Sequence, residues 1–368
     1  MKFGSTLKPR RLAWIVNHRT LMPAEVPILR NLGWEVFIPK LIPEHDSGYR
    51  SAAITYDYDQ SLSISPAALA VLNAHNFYTR DWSPTIAHIM NDSFEMVITT
   101  FSYYVVPLSE AARKFAGAVV ARAFGREHPE RYSSFPSIGG RPHMLSELAA
   151  LGDRFVFGQG YQNLAEIEDE PLSSRGHTIT IPLPNYVFTR QNSWKGNGSH
   201  AIFLCPAATD QGYYQAIYHR DKRDFGDFPH QFFGRQLGPV SDPAILPYLT
   251  DDELFQLYAS APVFVYPSTE LRHVHYSPLE AMVVGTPVLY RRGALIDTLT
   301  GSADLPGRCA DTEEMRRKTR QLLSGDRALA EAIRSTQGTI LDSFAEELAT
   351  QQWQELFLAQ FGRRGVEP

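Results

Sequence analysis

The sequence predicts an α/β protein of two Rossmann-like domains, each built on a parallel sheet, facing a central cleft and followed by a C-terminal helical tail. Three observations carry this expectation. Short apolar runs alternate with helical stretches along most of the chain, which implies parallel strands joined by helical crossovers. The alternation stops once, near the middle, at a cluster of Pro, Asn and Gly, and then restarts. A length of 368 residues suits two domains of ordinary size, and a composition of 43% hydrophobic and 20% charged residues is that of a folded chain with an ample core.

In the first half, residues 12–17 read as a buried strand, 24–32 as a helix closed by Gly33, and 34–39 as the next strand. A polar stretch follows. Residues 83–90 then read as a helix, 95–100 as a strand, 108–115 as a helix and 117–123 as a strand. The half closes with a strand at 154–158, a helix at 162–168 and a strand at 178–182. Pro182-Leu183-Pro184-Asn185, with Gln191-Asn192-Ser193-Trp194-Lys195-Gly196-Asn197-Gly198-Ser199, has the composition of an inter-domain join. Beyond it come a strand at 200–204, a helix at 213–219, strands at 231–234 and 263–266 around a helix at 251–260, and a helix at 278–284. A strand at 286–289 precedes largely helical segments at 313–323 and 329–360. The expected divisions are 1–187 for the first domain, 188–345 for the second, and 346–368 for a helix packing back across both. Ligands of open α/β sheets sit at the carboxyl ends of strands, so the cleft is the expected site.

Several classes are disfavoured. A net charge of -5 argues against a protein built mainly to hold nucleic acid. Two cysteines, Cys205 and Cys309, are too few for a disulfide framework or a structural zinc site. The stretch Met1-Lys2-Phe3-Gly4-Ser5-Thr6-Leu7-Lys8 lacks the apolar core of a secretory leader, and no apolar run has bilayer length. A cytoplasmic protein is expected, at most in contact with the inner face of the membrane. Lys2, Lys8, Arg10 and Arg11 beside Phe3 and Tyr103-Tyr104 would suit such a peripheral contact with anionic lipid.

The most informative segment begins Leu249-Thr250-Asp251-Asp252-Glu253-Leu254 and runs through Leu257-Tyr258-Ala259 and Val263-Phe264-Val265-Tyr266-Pro267-Ser268. It is followed by Ser277-Pro278-Leu279-Glu280-Ala281-Met282-Val283-Val284-Gly285-Thr286-Pro287-Val288-Leu289. Ser277 suits an N-cap, Pro278 the first helical position and Glu280 the third. Free amides at that helix start, with the positive end of its dipole, make a seat for an anion such as a diphosphate. The same spacing is a capping box, in which Glu280 satisfies a backbone donor.

Over 249–289 the chain resembles the nucleotide-sugar domain of GT-B glycosyltransferases, above all the retaining family 4 (glycosyl transferases group 1). The resemblance implies a hexosyltransferase-type enzyme that moves a sugar from a nucleoside-diphosphate donor to a glycan or lipid-linked acceptor, with retention, in bacterial-type surface polysaccharide or glycoconjugate synthesis. It implies no cofactor and no metal. It implies that Glu280 accepts the ribose hydroxyls of the donor, with His275, Tyr276, Ser277 and Leu279 lining the same site. Two departures stand out. The family's upstream Glu falls here on Arg272, with Glu270 the nearest acid, so either Glu270 reaches the donor sugar or Arg272 changes the donor contact. The loop Cys205-Pro206-Ala207-Ala208-Thr209-Asp210-Gln211-Gly212 lacks the cations that relatives place on the diphosphate. Arg235, Arg291 and Arg292 are the substitutes in reach.

In the first half, relatives place a His just beyond a strand, and His128 with Glu127 follows the strand at 117–123. His128, Glu127 and Glu270 are the catalytic candidates. His18 and Arg19, after the first strand, are further donor or acceptor contacts. Asp57 with Asp59, and Glu168-Asp169-Glu170, space acids as a metal site would, but no strand of the metal-dependent fold precedes them. His273 and His275 share one face of an extended loop, and lining of the cleft suits them better than metal binding. Rival readings are an inverting transferase with Glu127 or Asp81 as base, a nucleotide-sugar epimerase, and a non-catalytic nucleotide-sugar-binding subunit.

Overall fold

The structure, a computed structural model, describes residues 10–41, 62–101, 104–209 and 212–362. Lys2, Phe3, Lys8, Asp57, Asp59 and Tyr103 lie outside the described residues. The chain divides into two compact units. Unit 1 takes the residues up to Pro182, apart from a short stretch, together with those from Glu346 onward, and unit 2 takes Leu183–Ala345.

Unit 1 carries six described strands: β1 (Arg10–Trp14), β2 (Trp34–Phe37), β3 (Met96–Thr100), β4 (Ala118–Ala123), β5 (Phe155–Gln159) and β6 (Gly176–Thr178). Their order is β2-β1-β3-β4-β5-β6, and every neighbouring pair is parallel. β3, β4 and β5 are buried along their whole length, as strands covered on both faces must be. The chain leaves β1 to one side and returns for β3 on the other, so the topological switch lies at the carboxyl ends of β1 and β3.

Some boundaries differ from those expected. β1 begins at Arg10 and not Leu12, because the Arg10 charge is paired and the Arg11 guanidinium is hydrogen-bonded. Arg10 pairs with Glu95 at 3.0 Å, and its guanidinium lies 4.3 Å from the Trp34 ring and 4.2 Å from that of Phe361. Arg11 donates to the Ser93 carbonyl at 2.8 Å. These two arginines hold the first strand in place. The helix expected at 162–168 is only a 3-10 turn, Ala165–Ile167, whose first amide is taken by the Gln159 side chain. The long helix expected over 329–360 is broken into Arg327–Arg334, Gly338–Leu341, a 3-10 turn Asp342–Phe344, and Glu346–Phe361. The last of these belongs to unit 1. Gln352 accepts the Thr180 amide at 2.6 Å, and the Phe357 ring stands 4.8 Å from Trp34.

Unit 2 is a second parallel sheet of five described strands: β7 (Ala201–Leu204), β8 (His230–Phe233), β9 (Phe264–Tyr266), β10 (Val288–Arg291) and β11 (Arg308–Cys309). The order is β11-β10-β9-β7-β8, which puts the switch between β7 and β9. Phe203, Phe232, Val265, Leu289, Met315 and Ile333 form its core. The Asn and Gly cluster at 191–199 is bound to this unit along its length. The Trp194 indole donates to the Ala261 carbonyl at 2.8 Å, and the amides of Asn192, Trp194 and Lys195 reach Val283, Val284 and Ala259. The guanidinium groups of Arg327 and Arg334 lie 5.1 and 4.6 Å from the Trp194 ring. No described helix is long and apolar enough to cross a membrane.

Candidate functional site

The switch point of unit 2 is framed by the loops that leave β7, β8 and β9. The first two are locked together. Gln236 accepts the Ala208 amide at 2.8 Å and donates to the carbonyls of Cys205 and Gly234 at 3.0 and 2.9 Å. Gly234 has φ +130°, and a Cβ there would sit 2.7 Å from the Pro206 nitrogen, so no other residue fits the approach.

The loop after β9 leads into the helix Tyr276–Val284, which ends on Gly285 in the left-handed conformation. This helix starts earlier than its sequence suggests. Its N-cap is His275, with no side-chain cap bond, while Ser277 is the buried second residue. The capping box expected of Ser277 and Glu280 therefore does not form, because Ser277 has already turned into the helix. Tyr276 is half-buried at the first position, and Leu279 belongs to the core. Glu280 is fully buried, and its carboxylate accepts the Tyr258 hydroxyl at 3.2 Å from the helix Asp251–Ser260.

His275 is held at both ring nitrogens. Nδ1 lies 3.1 Å from the Tyr266 hydroxyl and Nε2 lies 3.2 Å from the Tyr214 hydroxyl, while its backbone amide donates to Tyr266 at 3.3 Å. The His273 ring stands 4.4 Å from it. Glu270 accepts the Tyr213 hydroxyl at 2.9 Å, and its carbonyl accepts the Leu295 amide at 2.8 Å. Arg272, between them, is half-buried, and its side chain makes no hydrogen bond or ion pair with any described residue.

The other arginines differ in availability. Arg235 lies after β8, with its guanidinium 6.0 Å from the Tyr248 ring and its carbonyl accepting the Ala207 amide. Arg291 donates to the Thr312 hydroxyl at 2.9 Å. Arg292 is exposed, with no described side-chain partner. Burial pushes the thiols of Cys205 and Cys309 up to about 12, so neither is a nucleophile near neutrality.

In unit 1 the candidates stand beyond β4 and β1. Glu127 is half-buried and His128 exposed, on a turn braced by Tyr132, whose hydroxyl donates to Gly125 and accepts the Phe124 amide. Arg126 pairs with Glu130 in the same turn. His18 is buried against Phe124, and its Nδ1 accepts the Leu21 amide at 3.1 Å at the start of the helix Leu21–Asn31. Burial, aided by the Arg122 charge, pushes it down to about 4, so the ring is neutral at pH 7. Arg19 beside it is half-buried. The Arg141 guanidinium holds Asp81 below the usual carboxylate range, which makes it a poor general base. Glu168 accepts the amides of Tyr132 and Ser133, Asp169 pairs with Arg131, and Glu170 accepts Ser174, so this acidic run is committed to its own loops.

Sequence reasoning passed over the tyrosines at 213, 214, 258 and 266, whose hydroxyls hold Glu270, His275 and Glu280. Aromatic residues in a helix start or a strand read as core, and only the pairing Tyr213-Tyr214 directly after Gly212 hinted otherwise. It also missed the buried pair of Arg122 on β4 and Glu25, both fully shielded.

No family model matches this sequence, and no curated protein matches it. Solved structures do. A glycosyltransferase from Rickettsia africae is similar with a TM-score of 0.57 at 12% identity, over 97% of this chain and 100% of that one. The T4 phage BGT in complex with UDP and Mn2+ is similar with a TM-score of 0.54 at 11% identity, over 95% and 99%. A Thermobaculum terrenum O-GlcNAc transferase mutant gives 0.56 at 13% identity, over 96% of this chain and 68% of that one. At such identities the likeness is one of fold: the chain has the GT-B glycosyltransferase fold.

Proposed function

We propose that the protein is a glycosyltransferase that moves a sugar from a nucleoside diphosphate to a glycan or lipid-linked acceptor, with retention, as the retaining family 4 enzymes do. The observation that carries this reading is Arg272. Its guanidinium has no partner among the described residues and stands on the loop that feeds the amides of the helix Tyr276–Val284, at the switch point of unit 2. A diphosphate there meets a planar fork of donors and the positive end of a helix together. The fold, shared with a phage enzyme described in complex with UDP, supports the same assignment.

In this reading Glu280 exchanges part of its bonding to Tyr258 for the ribose hydroxyls, and Glu270 faces the donor sugar. Arg272 and the helix amides take the charge of the leaving diphosphate. Its phosphate oxygen then removes the proton of the attacking acceptor hydroxyl on the same face, and the protein supplies position and charge stabilisation. Glu127 and His128 are the residues of unit 1 that we assign to catalysis. The reaction needs no metal or other cofactor, because Arg272 and the helix amides do the electrostatic work. Synthesis of a surface polysaccharide or glycoconjugate at the cytoplasmic face of a membrane is the setting we assign.

The test is turnover of a panel of UDP-, GDP- and ADP-sugars with glycan and lipid-linked acceptors, before and after exhaustive chelation. One donor should turn over with the anomeric configuration kept and with the rate unchanged by chelation. Donor binding without turnover on any acceptor points to a binding subunit. An inverted product removes retention, and a rate restored only by manganese or magnesium removes metal independence.

A further inference from the structure

We propose that Tyr213 and Tyr214 are positioning residues that set the donor subsite by tying the loop after β9 to the helix that follows β7. The two tyrosines open the helix Tyr213–Phe225, and their rings stand 5.1 Å apart at 82°. This places their hydroxyls on two different targets in the facing loop. The Tyr213 hydroxyl donates to Glu270 at 2.9 Å, and that of Tyr214 meets His275 Nε2 at 3.2 Å. Tyr266, the last residue of β9, grips the other nitrogen of His275 and its backbone amide. Glu270 and His275 thus flank Arg272 as two fixed posts, each anchored across the switch point by one tyrosine.

The arrangement has a chemical consequence. A carboxylate that accepts a phenol hydroxyl keeps one oxygen aimed at its donor, which orients the other lone pairs. A loop pinned at residues 270 and 275 also leaves the backbone that carries Arg272 little freedom, so part of the entropy of ordering the loop is removed before a ligand arrives. Tyr213 therefore acts on whatever Glu270 faces, and Tyr214 on the helix start that His275 caps. This inference rests on the donor reading above for the identity of the ligand, but the tether is a property of the free protein.

The experiment has two arms. In the first, hydrogen exchange of the ligand-free protein is followed at the amides of 269–275 in wild type, Tyr213→Phe, Tyr214→Phe and the double variant. Each removes one hydroxyl and keeps the ring. Loss of the tether should speed exchange in this loop several-fold, roughly threefold or more, while β7 and β9 are unchanged. In the second, UDP, GDP and ADP and their glucose conjugates are titrated into the same proteins and into Glu270→Gln. Tyr213→Phe should weaken the nucleotide sugar about fivefold or more and the bare diphosphate less than about twofold. Added to Glu270→Gln it should cost nothing further. Unchanged exchange in the double variant overturns the tether whatever binds. Faster exchange together with equal losses for sugar conjugate and diphosphate, or with additive losses, overturns the positioning role. If no nucleotide binds wild type, the donor reading fails, and the role assigned to Tyr213 falls with it, while the exchange result still decides the tether.

Discussion

The two sheets have the same kind of switch point, and one arginine in each is placed in an opposite way. In unit 1, Arg122 is fully buried on β4. It donates to Glu25 through Nε at 2.8 Å and to the Gly158 carbonyl at 2.7 Å, with Trp14 and Trp353 close by. His18 is likewise turned inward onto the Leu21 amide. In unit 2, Arg272 is half-buried on a loop and makes no described polar contact, while the groups on either side of it are tied down. A charge closed into an internal circuit stabilises a fold. A charge held ready on a braced loop is available to a ligand. The difference lies in the partners, since both are arginines near strand ends.

The largest way to break the comparison is to open the unit 1 circuit. Arg122→Leu leaves Glu25 buried without its counter-charge, which should cost about 3–5 kcal/mol in urea unfolding. A double change, Arg122→Leu with Glu25→Leu, should recover much of it. Arg272→Leu should leave unfolding within about 0.5 kcal/mol. A small loss at Arg122 would remove the distinction between the two cations.

Acid sharpens it next. His18 has a folded pKa of about 4 against an ordinary 6.5, so the unfolded chain takes the proton first. Its contribution is complete above pH 6.5 and is lost as the pH falls through that window, at most about 3.5 kcal/mol in all. Asp221 in unit 2 goes the other way. Burial, partly offset by Arg220, pushes it up to about 6 from 3.8, so the folded state takes the proton first. Its burial weakens unit 2 above pH 6, and that cost is relieved as the pH falls toward 3.8, by at most about 3 kcal/mol. Hydrogen exchange resolved by strand should show β1 and β3 losing protection between pH 6.5 and 4 more steeply than β7 and β9. In His18→Gln that slope should flatten, and parallel slopes in both units would contradict the assignment.

A smaller effect on stability comes from Glu280→Gln, which keeps an acceptor for the Tyr258 hydroxyl. Thermal stability should move by about 1 kcal/mol or less, while affinity for the nucleoside diphosphate falls about tenfold. Calorimetry on the same sample gives both numbers. An unchanged affinity would leave Glu280 as a buried brace for Tyr258 alone.

What was legible from the residues follows how local each determinant is. The helix Asp251–Ser260 was read at its observed bounds, and its start is set within one short stretch, where Thr250 and Glu253 form a capping box. The alternation that defines both sheets is equally local. Arg10 and Arg11 read as a basic tail because the groups that make them a strand, Glu95, Trp34 and Phe361, are distant in the chain. The helix start at Tyr276 was placed two residues late for the same kind of reason: His275 is held by Tyr214 and Tyr266, and that fixes where the turn begins. Arg272 and Glu270 were visible as departures from a family pattern. That Arg291 is taken by Thr312, while Arg272 and Arg292 have no described side-chain partner, depended on contacts that no spacing rule reveals.

The central claim is that unit 2 receives a nucleoside diphosphate on Arg272 and the start of the helix Tyr276–Val284. The most direct measurement is a calorimetric titration of UDP, GDP and ADP, and of the matching nucleosides, into wild type and Arg272→Ala. One diphosphate should bind wild type, and the substitution should weaken it by about 1.5–3 kcal/mol while changing the nucleoside by less than about 0.5 kcal/mol. Equal losses for diphosphate and nucleoside, or no binding of any diphosphate to wild type, would contradict it.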